Sequence, residues 1–192
     1  MPTPNSAALD FLQTRRSRPS KTLTTPVPTR DELAPLLTAA ARTPDHGKLE
    51  PWRFIVLERA AMTRLADAVT QLGGALNIAP DKIEKNAKQF TDGNLAVVVV
   101  ACPVENEKVP HLEQLYSAGA VCLSLLNAAL ASGWGANWLS GWASHEREFC
   151  ETHLGLAPHE MIAGIIHIGT ETSAPPERPR PDLARITKWM ST

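Results

Sequence analysis

Apolar residues along this chain recur in two periods, and the chain switches repeatedly from one to the other. After Thr29, the positions Leu33, Leu36, Leu37 and Ala40 follow the helical period. Thr29-Arg30-Asp31-Glu32 ahead of them is a capping box, in which hydroxyl and carboxylate each serve the other residue's backbone amide. The helix is expected to stop at Pro44, whose ring cannot continue the ladder. An earlier helix is expected over AALDFLQTRR, capped by Asn5 or Ser6, with Leu9, Phe11 and Leu12 on its apolar side. Ser17 to Pro28, rich in Pro, Ser and Thr, reads as a loop.

The period then shortens. Trp52–Leu57 (WRFIVL) is aromatic and branched, hence a strand. Leu95–Ala101 (LAVVVVA) and Met161–Gly169 (MIAGIIHIG) are unbroken apolar runs, the pattern of strands covered on both faces. Gly135–Leu139 is a weaker strand. Between them lie helices over Ala60–Leu72, closed by Gly73-Gly74; over Pro80–Phe90, charged and exposed; over His111–Ser132, long and buried; and over His145–Leu154, capped by Ser144. The tail from Thr170 carries Pro175, Pro176, Pro179 and Pro181 and ends in a weakly helical ARITKWM. No repeat or internal boundary interrupts 1–169. The expectation is a single domain over 1–192, with a proline-rich arm at 170–192. Its architecture is an α+β sandwich with helices on both faces of a central sheet.

Composition narrows the function classes. Nineteen Lys+Arg against twenty Asp+Glu leave a formal net charge of −1, without the basic excess that nucleic acid requires of its partners. The prolines crowd 2–28 and 175–181, and the N-terminus lacks a basic-then-apolar leader. No charged residue occurs from Gln114 to Ser144. Ser117, Ser124 and Asn127 nevertheless make this stretch a buried central helix rather than a membrane span. Cys102, Cys122 and Cys150 are scattered in apolar or helical patterns. They read as free thiols in a reducing compartment, so a cytoplasmic protein is expected.

The usual catalytic signatures are absent: no G-x-G-x-x-G after a strand, no P-loop, no G-x-S-x-G elbow. His145-Glu146-x-x-x-Cys150-x-x-His153 lacks H-E-x-x-H spacing, and a solvated helix explains it, so no metal is expected. Cys122 sits in an apolar helix with no charge to activate it. Three segments remain. Arg15-Arg16-Ser17, with Arg18 and Lys21 behind, offers guanidinium forks and a hydroxyl suited to phosphate; the plain alternative is cations at a helix C-terminus. Arg42-Thr43-Pro44-Asp45-His46 through Pro51-Trp52 is a polar turn between two rigid elements, either a binding loop or a simple connection. Gly133 to Trp142 carries three tryptophans at intervals of four among small residues. It suits either a planar ring system or a packed interface.

In this order the segments resemble the nitroreductase family of flavoproteins, and within it the compact YdjA-type NAD(P)H nitroreductase subgroup. The likeness runs from ALDFLQTRRS to HIGTETSAPP. It includes R-T-P-D-H-x-x-x-x-P-W, E-x-x-K-V-P at Glu105–Pro110, E-Q-x-x-S-A-G-A at Glu113–Ala120 and G-x-x-W-x-S-G. The resemblance implies a nitroreductase-like, FMN-dependent sandwich with a central mixed sheet, working as a homodimer whose flavin sites are shared between subunits. Arg15, Arg16 and Ser17 would take the FMN phosphate and ribityl region. Arg42 and His46 would reach the other subunit's flavin. Trp138, Leu139 and Ser140 would border ring and ribityl chain. Ala128, Ala129, Leu130, Ala131, Ser132 and Gly133 fall where the nicotinamide dinucleotide is received.

By the same resemblance, hydride passes from NAD(P)H through the flavin to a nitroaromatic, a quinone or a similar acceptor in ping-pong turnover, with the flavin carrying the chemistry. Flavin sequestration without turnover, or a dedicated dehalogenase or dehydrogenase, are the other readings. The chain departs from the pattern in three places. The subgroup's W-R-S reads Trp138-Leu139-Ser140, so Arg16, Arg18 or a tail arginine between Arg178 and Arg185 would have to supply the missing cation. Glu50 stands where glutamine often precedes Pro-Trp. Arg18-Pro19-Ser20-Lys21 carries an apparent insertion, which leaves Lys21, Arg18 and Arg16 as alternatives for the cation facing the flavin pyrimidine.

Overall fold

The computed structural model describes residues 3–192, so Met1 and Pro2 of the proline-rich N-terminus lie outside the described residues. Helix α1 (Ser6–Thr14) is capped by Asn5, whose side chain accepts from the Ala8 amide at 3.0 Å. A two-residue strand β1 (Leu23–Thr24) and one turn of 3-10 helix interrupt the loop expected at 17–28. Helix α2 (Arg30–Ala40) begins on the expected capping box, with the Thr29 amide donating to Glu32 Oε2 at 2.8 Å and the Glu32 amide to Thr29 Oγ1 at 3.3 Å. It ends well before Pro44, because Thr43 turns its amide back onto the Ala40 carbonyl. The following elements are β2 (Trp52–Glu58), α3 (Arg59–Ala75), α4 (Pro80–Thr91), β3 (Leu95–Ala101) and α5 (His111–Ala131). The chain then adds β4 (Gly135–Leu139), α6 (Arg147–Leu154), β5 (Met161–Glu171) and a short α7 (Leu183–Ile186).

The sheet runs β2-β3-β5-β4, with β1 pairing the far end of β5. Every recorded pairing is antiparallel, which corrects the expected mixed sheet. The apolar runs show that both faces are covered, but strand direction leaves no mark on such a pattern. Strand β5 can serve three neighbours because it extends two residues past Gly169. Its first half faces β3, 165–169 face β4, and Thr170 and Glu171 face β1.

Alternation along β3 fills both cores. Ala96, Val98 and Val100 meet α3, α4 and α6 through Met62, Leu65, Phe90 and Phe149. Val97 and Val99 meet α2 and α5 through Leu33, Leu36, Val121 and Leu125.

Two further helix ends differ from the sequence pattern. Gly73 and Gly74 do not close α3 but lie inside it. A Cβ on Gly73 would stand 2.6 Å from Ile83 of α4, so this glycine serves a close helix crossing, and the chain turns later, at Asn77 with φ +53°. Ser144 does not cap α6. It belongs to a 3-10 turn over Trp142–His145, and α6 starts at Arg147.

Helix α4, read as exposed, is so on one side only. Asn86, Gln89 and Phe90 are buried. Helix α5 is the one described helix long and apolar enough to cross a membrane, and it packs one side against the sheet.

Candidate functional site

The loop after α1 is fixed from both ends. The Arg15 amide closes the helix on the Phe11 carbonyl at 2.8 Å, and the Arg18 amide reaches the Ala136 carbonyl of β4 at 2.8 Å. The side chains of Arg15 and Arg16 are thereby brought together. Arg15 Nη2 donates to Ser17 Oγ at 3.0 Å, and Arg16 Nη2 to the Pro176 carbonyl of the tail at 3.0 Å. Both Nε–H groups are buried without a partner. Burial first, then the positive charges of Arg180 and Arg16, lower the Arg15 pKa. A cationic cluster with unspent donors is chemically an anion site. Arg18 takes no part in it, since its guanidinium pairs with Glu171 at 3.3 Å.

Beside this loop a cleft of about 610 Å³ opens between α4 and β4, within the usual size of a cofactor pocket. Leu139 and Ser140 form its β4 wall, Lys21 enters from the arginine loop, and Lys82 and Lys85 stand on the α4 rim. The lining surface is mainly apolar, with unsatisfied polar atoms buried in the wall beneath it. Asn86 Nδ2, Gln89 Oε1 and Trp142 Nε1 are buried with no hydrogen-bond partner. Gly141 lets this wall close up, since a Cβ there would lie 2.6 Å from the Asn86 amide. Behind it His167, cross-strand from the cleft residue Asn137, is buried with both ring nitrogens unpartnered, and burial lowers its pKa to about 4. Orphaned polar atoms at this density mark a place built to meet something else.

The other expected residues lie elsewhere within one chain. Trp138 pairs with Ile166 and covers Gly164, on the α2–α5 side of the sheet rather than in the cleft. Arg42 is exposed, and His46 Nδ1 bonds Glu113 Oε2 of α5 at 2.8 Å; neither lines the cleft. Their loop is held in strained backbone, with Lys48 at φ +55° and Glu50 at φ +48°. Ser117 of α5 anchors it, donating to the Pro44 carbonyl at 2.9 Å.

Of the segment 128–133, Ala128, Ala129 and Leu130 pack in the α2–α5 core. Only Ala131, Ser132 and Gly133 are exposed, so a ligand can reach the end of the segment but not its body. Burial pushes the Cys122 thiol up to about 12, and the buried Cys150 thiol points at the Ala143 and Ser144 carbonyls.

Sequence reasoning missed Lys82, Lys85, Asn86, Gln89 and His167. One signal was available for the amides. Ile83, Asn86, Ala87 and Phe90 share a helical face, so an amide falls within an apolar stripe.

A model of the nitroreductase family matches residues 12–170. YdjA of Escherichia coli K12, which bears the name of an NAD(P)H nitroreductase, is 36% identical over 164 residues, covering 85% of this chain and 87% of its own length. A nitroreductase-like family protein from Bacillus cereus superimposes with a TM-score of 0.81 at 25% identity, covering 100% of both chains. A nitroreductase from Desulfovibrio desulfuricans, solved in complex with FMN, shares the fold with a TM-score of 0.73 at 21% identity, covering 99% of both chains. The chain belongs to the nitroreductase family, a family of FMN-dependent oxidoreductases.

Proposed function

We propose that this chain is an NAD(P)H-dependent flavin oxidoreductase that holds FMN in the cleft between α4 and β4. The observation that carries the reading is the arginine loop running into one end of the cleft. The loop holds unpartnered Nε–H donors at Arg15 and Arg16, its Pro19, Ser20 and Lys21 line the cleft, and unpartnered amide atoms are buried in the cleft wall. The arginine donors match a phosphate, and the amides match the donor and acceptor edge of a flavin pyrimidine. Bound there, FMN would supply hydride transfer from NAD(P)H to a nitroaromatic, quinone or similar acceptor, in ping-pong order.

The protein's part is to bind and orient. Arg15, Arg16 and Ser17 hold the phosphate, and Asn86 and Gln89 hold the pyrimidine edge. Of the three cations open from the sequence, Lys21 faces the ring, because Arg18 is engaged by Glu171 and Arg16 by the tail. Its charge stabilises negative charge developing on the pyrimidine. Leu139 and Ser140 border the ring. Lys21, Lys82 and Lys85 make the mouth attractive to anionic NAD(P)H, with the end of α5 at Ser132 and Gly133 as a further contact.

The working unit in this reading is a cytoplasmic homodimer. Leu112, Tyr116 and Leu123 form one exposed apolar stripe along α5, at 55%, 66% and 44% exposure, and a second copy would cover it. Arg42 and His46, which lie away from the cleft of their own chain, would then serve the partner's flavin.

The test is the visible spectrum of the purified protein, followed by denaturation and identification of the released chromophore. Flavin bands with about one FMN per chain, and parallel double-reciprocal plots with NAD(P)H and a quinone, are expected. A protein that stays colourless after incubation with excess FMN would refute the assignment.

A further inference from the structure

The loop between α2 and β2 is tied to α5 at three levels. Thr43 Oγ1 meets Ser124 Oγ at 2.9 Å, Ser117 Oγ donates to the Pro44 carbonyl at 2.9 Å, and His46 Nδ1 bonds Glu113 Oε2 at 2.8 Å. Steps of four and seven residues place Glu113, Ser117 and Ser124 on one face of the helix. The first two ties already hold the loop, together with the Glu50 amide, which donates to Asp45 Oδ2 at 3.0 Å. The third differs from them. It joins two side chains that are 58% and 49% exposed, and it uses the only Asp, Glu, Lys or Arg of α5.

An ionised carboxylate accepts hydrogen bonds and has none to give. The hydrogen shared by His46 and Glu113 therefore lies on Nδ1, and the neutral ring carries its free electron pair on Nε2. Resting on the reading that His46 serves the partner's flavin, we propose that Glu113 is a positioning residue. It holds His46 in the Nδ1–H form and leaves Nε2 as the acceptor for a hydroxyl of the flavin's ribityl chain. A ribityl hydroxyl can donate to such a nitrogen, whereas an ionised phosphate oxygen can only accept. Glu113 itself touches no flavin, so its effect on FMN passes entirely through the His46 ring.

The full-length protein is compared with E113A, H46A and the double variant. NMR of the histidine ring nitrogens, at a pH above which their signals stop changing, reads the tautomer, and H46A assigns the signal. The wild-type ring is expected in the Nδ1–H form, and E113A is expected to lose that preference. The flavin-stripped proteins are then titrated with FMN, following quenching of flavin fluorescence. E113A and H46A are each expected to weaken FMN about fivefold, the loss of one hydrogen bond. The double variant should bind no more weakly than H46A alone, because the two residues act as one unit. A wild-type ring in the Nε2–H form would overturn the proposal. So would an E113A within twofold of wild type beside a weakened H46A, or a double variant that adds the two losses, as an anchor acting apart from the ring would. An H46A that binds FMN as wild type does, with the wild-type ring in the Nδ1–H form, would instead overturn the flavin reading of His46 on which the proposal rests.

Discussion

The two sides of the sheet are lined by the same β3 and β5 strands, yet they handle polarity in opposite ways. On the α2–α5 side, buried polar groups are satisfied from within. Gln114 donates to the Val104 and Val109 carbonyls and accepts from the Val104 amide. Ser117 bridges Trp52 and Pro44, and Thr43 meets Ser124. The half-buried Asn127, with an unpaired Oδ1, is the exception. On the α4 side, Asn86, Gln89, Trp142 and His167 leave atoms unpaired. Each unsatisfied buried group costs about 1–3 kcal/mol. A fold that tolerates several in one place, beside a cleft, is prepared for a ligand there, whereas the opposite side serves to hold the sheet and the 42–50 loop. The proposed flavin site rests on where hydrogen bonds are left unmade.

The largest effect should come from the dry side. Leu125→Ala empties a fully buried position in the α2–α5 core and should cost about 3–5 kcal/mol in urea unfolding. A loss below about 1 kcal/mol would show that this core is loosely packed.

Next is a pH effect confined to the α4 side. Burial lowers the His167 pKa from 6.5 to about 4. The unfolded chain therefore binds a proton that the fold refuses. Its contribution is complete above about pH 6.5 and is lost as the pH falls towards 4, at about 3 kcal/mol in all. Urea midpoints measured across that range should fall with pH in the wild type and flatten in His167→Leu. Equal slopes in the two would contradict the neutral, buried imidazole. Glu160 acts in a lower window. Its bidentate bond to Arg53 lowers its pKa from 4.5 to about 2, so its contribution is lost only as the pH falls through that interval.

The sharpest comparison makes one substitution on both sides. Gln114→Leu strands the Val104 and Val109 backbone groups and should cost about 2–3 kcal/mol. Gln89→Leu removes an orphaned atom and should leave flavin-free stability within about 0.5 kcal/mol while weakening FMN about tenfold. Similar stability losses in both would erase the distinction between the two sides.

Legibility followed the same division. Strands β3 and β4 were read to the residue, because apolar runs between turn residues have clear ends. The arginine loop and the Leu139–Ser140 wall were legible because charge and small residues stand out locally. Helix α4 was not, since Asn86 and Gln89 are surrounded by lysines that advertise a solvated face, and only packing on α3 turns the amides inward. His167 is hidden in an apolar run whose period is that of any core strand. The tail was half legible: its prolines mark it as an arm without a core of its own, but the bond from Arg16 to the Pro176 carbonyl that ties it to the arginine loop leaves no mark in the sequence.

A crystal structure of the protein with FMN decides whether the flavin occupies the α4 side. The ring is expected between α4 and β4, with Lys21, Asn86 and Gln89 on its pyrimidine edge and the phosphate on Arg15 and Arg16. A flavin seated elsewhere, with the Asn86 and Gln89 amides still unpartnered, would contradict that placement.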